Sequence, residues 1–145
     1  MIRRMVLDDI PRVFAIEQSA HVFPWTQQIL EDCLHAGYAG FVLTEGDFII
    51  GFIIFTFVID ECHLLNLAID PQYQRHGYGS QLMLYTIDFC HELTMRVIYL
   101  EVRRSNQIAI DLYAKFGFTC SGVRKNYYQS AQGREDALML QLEVT

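Results

Sequence analysis

Positive charge is scarce in this chain: 11 lysines and arginines stand against 17 aspartates and glutamates, for a formal net charge of −6. A surface so poor in cations is ill suited to neutralising a long run of phosphates, which disfavours extended contact with nucleic acid and favours a basic partner. Cysteine is sparse and unpatterned. Cys33, Cys62, Cys90 and Cys120 form no Cys-x-x-Cys pair and follow no secretory leader, so a reducing, cytoplasmic compartment with four buried thiols is expected. Long hydrophobic runs are missing too. The longest nearly continuous one, Phe48 to Ile59, stops short of the roughly 18 residues a membrane helix needs, and its β-branched and aromatic content suits a buried strand; no membrane span is indicated. There is no internal repeat, low-complexity tract or linker.

Ligand and nucleophile patterns are equally thin. His63 stands beside Cys62 and Glu61, but consecutive strand residues point to opposite faces and no fourth ligand is near. His21, His35, His76 and His91 show no ligand spacing, and no Ser-His-Asp signature is present. No metal site is expected.

What is present is a core. With 145 residues, 52% of them hydrophobic and 13% aromatic, the chain suits one domain over residues 1–145. A short N-terminal strand leads to Asp8 as a helix cap, Pro11 in the first turn and a stripe of Val13, Phe14 and Ile16. A second helix follows "HVFPWT", with Thr26 as its cap. "GYAGFVLTEGDFIIGFIIFTFVID" reads as two antiparallel strands turned at Glu45-Gly46-Asp47. The strand "CHLLNLAID" precedes a helix from about Gly79 to Leu93 with Leu82, Ile87 and Phe89 inward. "RVIYLEV" is a strand, "NQIAIDLYAKF" a helix stopped by Gly117, and two strands close the chain. The order β-α-α-β-β-β-α-β-α-β-β mixes hairpins with crossovers, which predicts an α/β fold around a central mixed sheet.

Between the third of the long strands and its helix lies "DPQYQRHGYGS". A glycine-rich helix mouth offers backbone N–H groups at the positive end of the helix dipole, which makes an anion site. A Walker loop would need Gly-Lys-Ser/Thr where Gly79-Ser80-Gln81 stands, and a dinucleotide fingerprint needs a small residue in place of Leu82. By residue type alone, Gly77 and Gly79 read first as a plain tight turn.

Proton-handling candidates lie in "YLEVRRSNQIAIDLYAKFGF". Period-2 alternation sets Tyr99 and Glu101 on the face opposite Ile98, Leu100 and Val102, and helical spacing aligns Asn106, Ile110 and Tyr113. On their own, Glu101 also fits an exposed carboxylate, Asn106 a helix cap and Tyr113 an aromatic at the edge of the core.

Gln74-x-x-Gly77-x-Gly79 resembles the acyl-CoA pyrophosphate motif of the GNAT superfamily of N-acyltransferases, in which Arg or Gln is followed by two residues, Gly, one residue, and Gly or Ala. The resemblance implies the single-domain GNAT fold, a mostly antiparallel mixed sheet flanked by helices, and acetyl-CoA as co-substrate. It further implies that the backbone of Arg75, His76, Gly77, Tyr78, Gly79 and Ser80 cradles the pyrophosphate while Leu67, Ala68 and Ile69 pair with the pantetheine arm and polarise the thioester. "LEVRRSNQIAIDLYAKFGF", with "HVFPWT" and "NYYQSAQGREDALMLQL", is similar to the RimI-type ribosomal-protein-alanine N-acetyltransferases within that superfamily, over about His21 to Leu142. That likeness makes Glu101 the general base, Tyr113 the general acid and Asn106 a CoA contact. Phe23 and Trp25, for which core packing is the other reading, would line the acceptor side opposite Tyr127, Tyr128 and a turn at Gly133 to Asp136. The implied acceptor is the N-terminal alanine of ribosomal protein S18. Other amine acceptors, or a non-catalytic acyl-CoA-binding module, are the alternatives.

Overall fold

The computed structural model describes residues 1–144 and reproduces the expected order of strands and helices, with two short 3-10 turns added at Leu7–Asp9 and Pro71–Tyr73. Seven strands pair in the order β1-β2-β3-β4-β5-β7-β6. The chain forms two compact units, one of Met1–Thr56 with Leu65–Asp88, the other of Phe57–Leu64 with the segment that starts at Phe89.

In the first unit β1 (Ile2–Arg4) runs antiparallel to β2 (Ala39–Glu45), and β2 antiparallel to β3 (Phe48–Val58) across the tight turn at Gly46 and Asp47. Both long strands are buried along most of their length, which is why they read as near-continuous apolar runs rather than alternating ones. Helices α1 (Ile10–Ala20) and α2 (Gln27–His35) contribute Val13, Ile16 and Leu30 to a core shared with Val42, Phe52 and Ile54. The α2 start is as expected, with the Thr26 hydroxyl accepting the Ile29 N–H at 3.2 Å.

The α1 start differs. Asp8 does not cap it; the 3-10 turn carries the chain one residue further and sets Asp9 at the cap position without a bond into the helix. Pro11 lacks the N–H that such a cap would take. The Asp9 carboxylate instead accepts the Val6 N–H at 2.9 Å and pairs with Arg3 at 2.8 Å.

The strand β4 (Glu61–Ile69) and helix α3 (Tyr78–Glu92) follow. The buried stripe of α3 is Leu82, Met83, Thr86 and Cys90, whereas Ile87 and Phe89 are only half-buried. Thr86 takes an inward place because its hydroxyl donates to the Leu82 carbonyl at 2.9 Å, leaving no polar group unpaired.

In the second unit the start of β4 runs parallel to β5 (Val97–Arg103), β5 antiparallel to β7 (Gly133–Glu143), and β7 antiparallel to β6 (Thr119–Ser130). Helix α4 (Gln107–Lys115) ends where Gly117 takes φ +95°, a left-handed conformation that suits glycine. Cys33, Cys62 and Cys90 are buried as expected, but Cys120 is exposed on β6.

Gly51 on β3 lets the end of β4 approach. A Cβ there would stand 2.5 Å from Ile69 Cδ1 and 3.1 Å from the Ala68 carbonyl oxygen. Gly51→Val is expected to lower stability by about 1–3 kcal/mol through overpacking, read from the urea midpoint. An unchanged midpoint would show that the strand end yields at no cost.

Candidate active site

The end of β4 offers backbone only, because the Ala68 and Ile69 side chains are buried and Leu67 is half-buried. The Asp70 N–H donates to the Ile50 carbonyl at 2.8 Å, and the Asp70 carboxylate takes the Gln72 N–H at 2.9 Å and Arg12 at 2.6 Å. Gln74 then donates its side-chain amide to the Ile69 carbonyl at 3.1 Å. That bond ties the loop back to the strand and gives the first fixed position of the motif a physical role.

Beyond Gln74 the backbone turns left-handed twice, at Arg75 (φ +67°) and Gly77 (φ +83°). Turns of this kind gather N–H groups into anion-binding concavities. The first bond inside α3 is from the Gln81 N–H to the Gly77 carbonyl, 3.1 Å, so Tyr78 and Gly79 hold N–H groups without an acceptor in the helix, at its positive end. The two glycines therefore differ: Gly77 is required by its φ, whereas Gly79 lies in the first helical turn beside half-buried Ser80. The side chains of the loop are engaged elsewhere. His76 Nδ1 lies 3.1 Å from the Tyr73 carbonyl, the Tyr78 hydroxyl donates to Glu45 at 3.2 Å, and the exposed Arg75 remains at the surface.

In the same unit, the loop between α1 and α2 is organised from inside. Glu17 is 1% exposed; its Oε1 meets His21 Nδ1 at 2.8 Å and accepts Asn66 Nδ2–H at 3.1 Å, while its Oε2 accepts the Trp25 N–H at 2.9 Å. Burial alone would raise its pKa, but these bonds outweigh it and hold the carboxyl below its ordinary value. Trp25 is half-buried against the core, which supports the packing reading for its ring, while Phe23 is exposed.

In the second unit β5 alternates as expected, with Ile98, Leu100 and Val102 buried and Glu101 on the opposite face. Glu101 Oε2 lies 2.9 Å from Arg124 Nε, and the Arg124 guanidinium sits 5.5 Å from the centre of the Tyr127 ring. Arg103 does the parallel task one step along, pairing with Glu135 at 2.9 Å and covering the Tyr128 ring at 4.4 Å. Tyr127 and Tyr128 meet edge to face at 5.0 Å. Tyr127 lies within the register shift between Arg124 and Tyr128, where Asn126 takes φ +55°, and Tyr128 is where the pairing resumes. Asp136 accepts the Asn126 N–H at 3.0 Å and Arg134 donates to the Asn126 carbonyl at 3.1 Å. Gly133 to Asp136 is thus not a turn. It is the start of β7, and the turn is made by Ala131 and Gln132.

Tyr113 is buried on α4 beside Phe118, ring centres 5.5 Å apart. Burial pushes its phenol well above the ordinary value near 10, so it keeps its proton at neutral pH. Tyr128 is pushed up to about 12, by burial first and then by the charge of Glu101. Asn106 caps α4, its side-chain oxygen accepting the Ala109 N–H at 3.2 Å.

Glu17, Asn66, Arg124, Arg103 and Glu135 were not singled out in the sequence. Glu17 had a signal: it falls four residues after Val13 and one after Ile16, on the inward stripe of α1. Asn66 likewise occupies an inward alternation between Leu64 and Ala68. The ion pairs had none, because they depend on the register of β5, β7 and β6.

The acetyltransferase (GNAT) family model matches residues 5–118. The [ribosomal protein bS18]-alanine N-acetyltransferase of Escherichia coli K12 is 39% identical over 137 residues, covering 94% of this chain and 93% of that protein. The protein of the same description from Haemophilus ducreyi is 41% identical over 143 residues, covering 98% and 99%. The crystal structure of the ribosomal-protein-S18-alanine N-acetyltransferase from Escherichia coli superposes with a TM-score of 0.95 at 38% identity, covering 100% of this chain and 94% of that one. A backbone loop shaped for an anion after β4, the sheet order and this breadth of identity agree: the chain belongs to the acetyltransferase (GNAT) family.

Proposed function

We propose that the protein is an acetyl-CoA-dependent N-acetyltransferase that acetylates the N-terminal alanine of ribosomal protein S18. The observation that carries this reading is the identity of 39% over 94% of the chain to an enzyme of that description, which extends beyond the cofactor loop to the acceptor-side segments. The family model and the interruption of β3, β4 and α3 by the unit boundaries support a single catalytic domain over residues 1–145. Four free cysteines fit a cytoplasmic setting, and among the described residues no helix is long and apolar enough to cross a membrane.

In this reading the N–H groups of Arg75 to Ser80 bind the CoA pyrophosphate. Leu67, Ala68 and Ile69 lend backbone groups to the pantetheine arm, and an N–H at this strand end stabilises the oxyanion. The acceptor nitrogen attacks the thioester carbonyl carbon, the C–S bond breaks, and the acetyl group passes to nitrogen without a covalent enzyme intermediate. Glu101 takes the proton that nitrogen loses, and Tyr113 donates toward the sulfur that leaves as thiolate. An α-amine with a pKa of about 8 is already partly neutral at physiological pH, so a single carboxylate suffices as base. Arg124 occupies Glu101 when no amine is present, and an incoming ammonium offers the same charge to the same oxygen. Asn106 uses its oxygen for the helix cap, which leaves its N–H2 to donate to CoA. Phe23, Trp25, Tyr127 and Tyr128 select the acceptor.

Mass spectrometry of an N-terminal peptide panel with acetyl-CoA tests the reading; acetylation of the alanine-starting ribosomal peptide over lysine side chains and polyamines is expected, and no turnover of any peptide would refute it. Glu101→Gln and Tyr113→Phe should each lower kcat by about 10²–10⁴-fold with CoA binding retained. A double variant as active as the wild type would remove both residues from proton transfer, and CoA binding by a wild type that turns over no acceptor would mark a non-catalytic binding module. With Tyr113 shifted upward, kcat/KM should rise as the amine deprotonates near pH 8 and show no downturn below about pH 10. A fall between pH 8.5 and 9.5 would contradict the phenol's role. Gly77→Ala, strained at φ +83°, should raise the KM for acetyl-CoA and leave that for the peptide unchanged.

A further inference from the structure

We propose that Glu17 is a positioning residue whose buried carboxylate locks the Phe23–Trp25 loop to the end of β4, so that the acceptor is presented in register with the thioester. The proposal rests on the reading that this loop receives the acceptor and that the β4 backbone holds the thioester. Three donors converge on Glu17 from three places: the ring of His21 at the end of α1, the main chain of Trp25, and the side chain of Asn66. Asn66 directly precedes Leu67, so the carboxylate spans from the loop to the residue before the proposed pantetheine-pairing stretch.

An ordinary core position would not carry this group. Val13 and Ile16 fill neighbouring places on the same stripe with apolar side chains, and an ionised carboxylate is costly to bury unless its oxygens are bonded. An apolar residue here would pack without holding anything. A surface loop also satisfies its N–H groups with water by default, yet the Trp25 N–H is bound from within. Only an acceptor-only group meets all three donors. A glutamine keeps one oxygen, and its NH2 would then face a donor, either the Trp25 N–H or the His21 and Asn66 pair.

Glu17→Gln should therefore keep the fold and loosen the loop. Trp25 is the only tryptophan in the chain, so its emission reports the loop directly. The expected result is a red-shifted, more quenchable emission, a fall of about 10- to 100-fold in kcat/KM for the peptide, expressed mainly in the peptide's KM, and an unchanged KM for acetyl-CoA. Asn66→Ala, which cuts the tie to β4 and leaves the other two bonds, should shift the same parameters by less; it decides the matter if Glu17→Gln does not fold. Wild-type emission with wild-type peptide kinetics in a folded variant would overturn the proposal. So would shifted emission with unchanged peptide kinetics, or a parallel rise in both KM values. If the wild type itself acetylates no peptide, the functional reading fails first and the proposal with it, and the wild-type measurement alone identifies that case.

Discussion

The C-terminal half of β4 is fixed at four separate points, and much of the first unit is arranged around that hold. Its last carbonyl, at Ile69, receives Gln74; the next N–H, of Asp70, is bonded to β3; Gly51 clears room for Ala68 and Ile69; Asn66 is anchored on Glu17. Each contact engages a different atom, so the strand has little freedom to slide or rotate. Arg12 extends the same hold. It donates to the Ile49 carbonyl at 3.0 Å, pairs with Asp70, and covers the Phe48 ring at 4.2 Å, joining α1, β3 and the loop through one planar side chain. A catalyst that lends backbone groups to its co-substrate needs this rigidity, since a strand carries no side chain that could adjust to a misplaced carbonyl.

The scarcity of cations acquires a meaning in the same terms. Arg3, Arg12, Arg103 and Arg124 are each committed to a carboxylate, and each also serves a carbonyl or an aromatic ring. These four arginines serve internal order. What remains is acidic, which suits an acceptor that arrives as an ammonium and gives phosphate backbones no footing.

Several elements were legible because a single local rule decides them. Continuous apolar runs marked β2 and β3, alternation marked β5 and the outward Glu101, and side-chain oxygens at Thr26 and Asn106 marked two helix starts. The α1 start was misjudged where two rules compete, since the aspartate next to a proline-bearing first turn found better partners outside the helix. The turn between β6 and β7 was misplaced for a different reason. Two register shifts, at Cys120/Gly122 and Arg124/Tyr128, break the alternation on which facing is counted, so neither the position of the turn nor the pairing of Arg124 with Glu101 follows from spacing. Long-range polar contacts such as Glu17 to Asn66 lie beyond local rules altogether, although the inward placement of both residues was countable.

The two kinds of recognition in this chain differ in what they demand of its residues. The cofactor side, as proposed, works through N–H groups and one left-handed glycine, so most side chains along Arg75 to Ser80 are free to serve other ends, as Tyr78 does with Glu45 and His76 with Tyr73. The acceptor side, as proposed, works through rings and charges whose placement depends on buried or paired partners: Trp25 on Glu17, Tyr127 on Arg124, Tyr128 on Arg103. A substitution at one of those partners moves an acceptor contact without touching the acceptor. Acceptor choice within such a fold is therefore set as much by the residues behind the rings as by the rings, and it can change while the cofactor loop stays as it is.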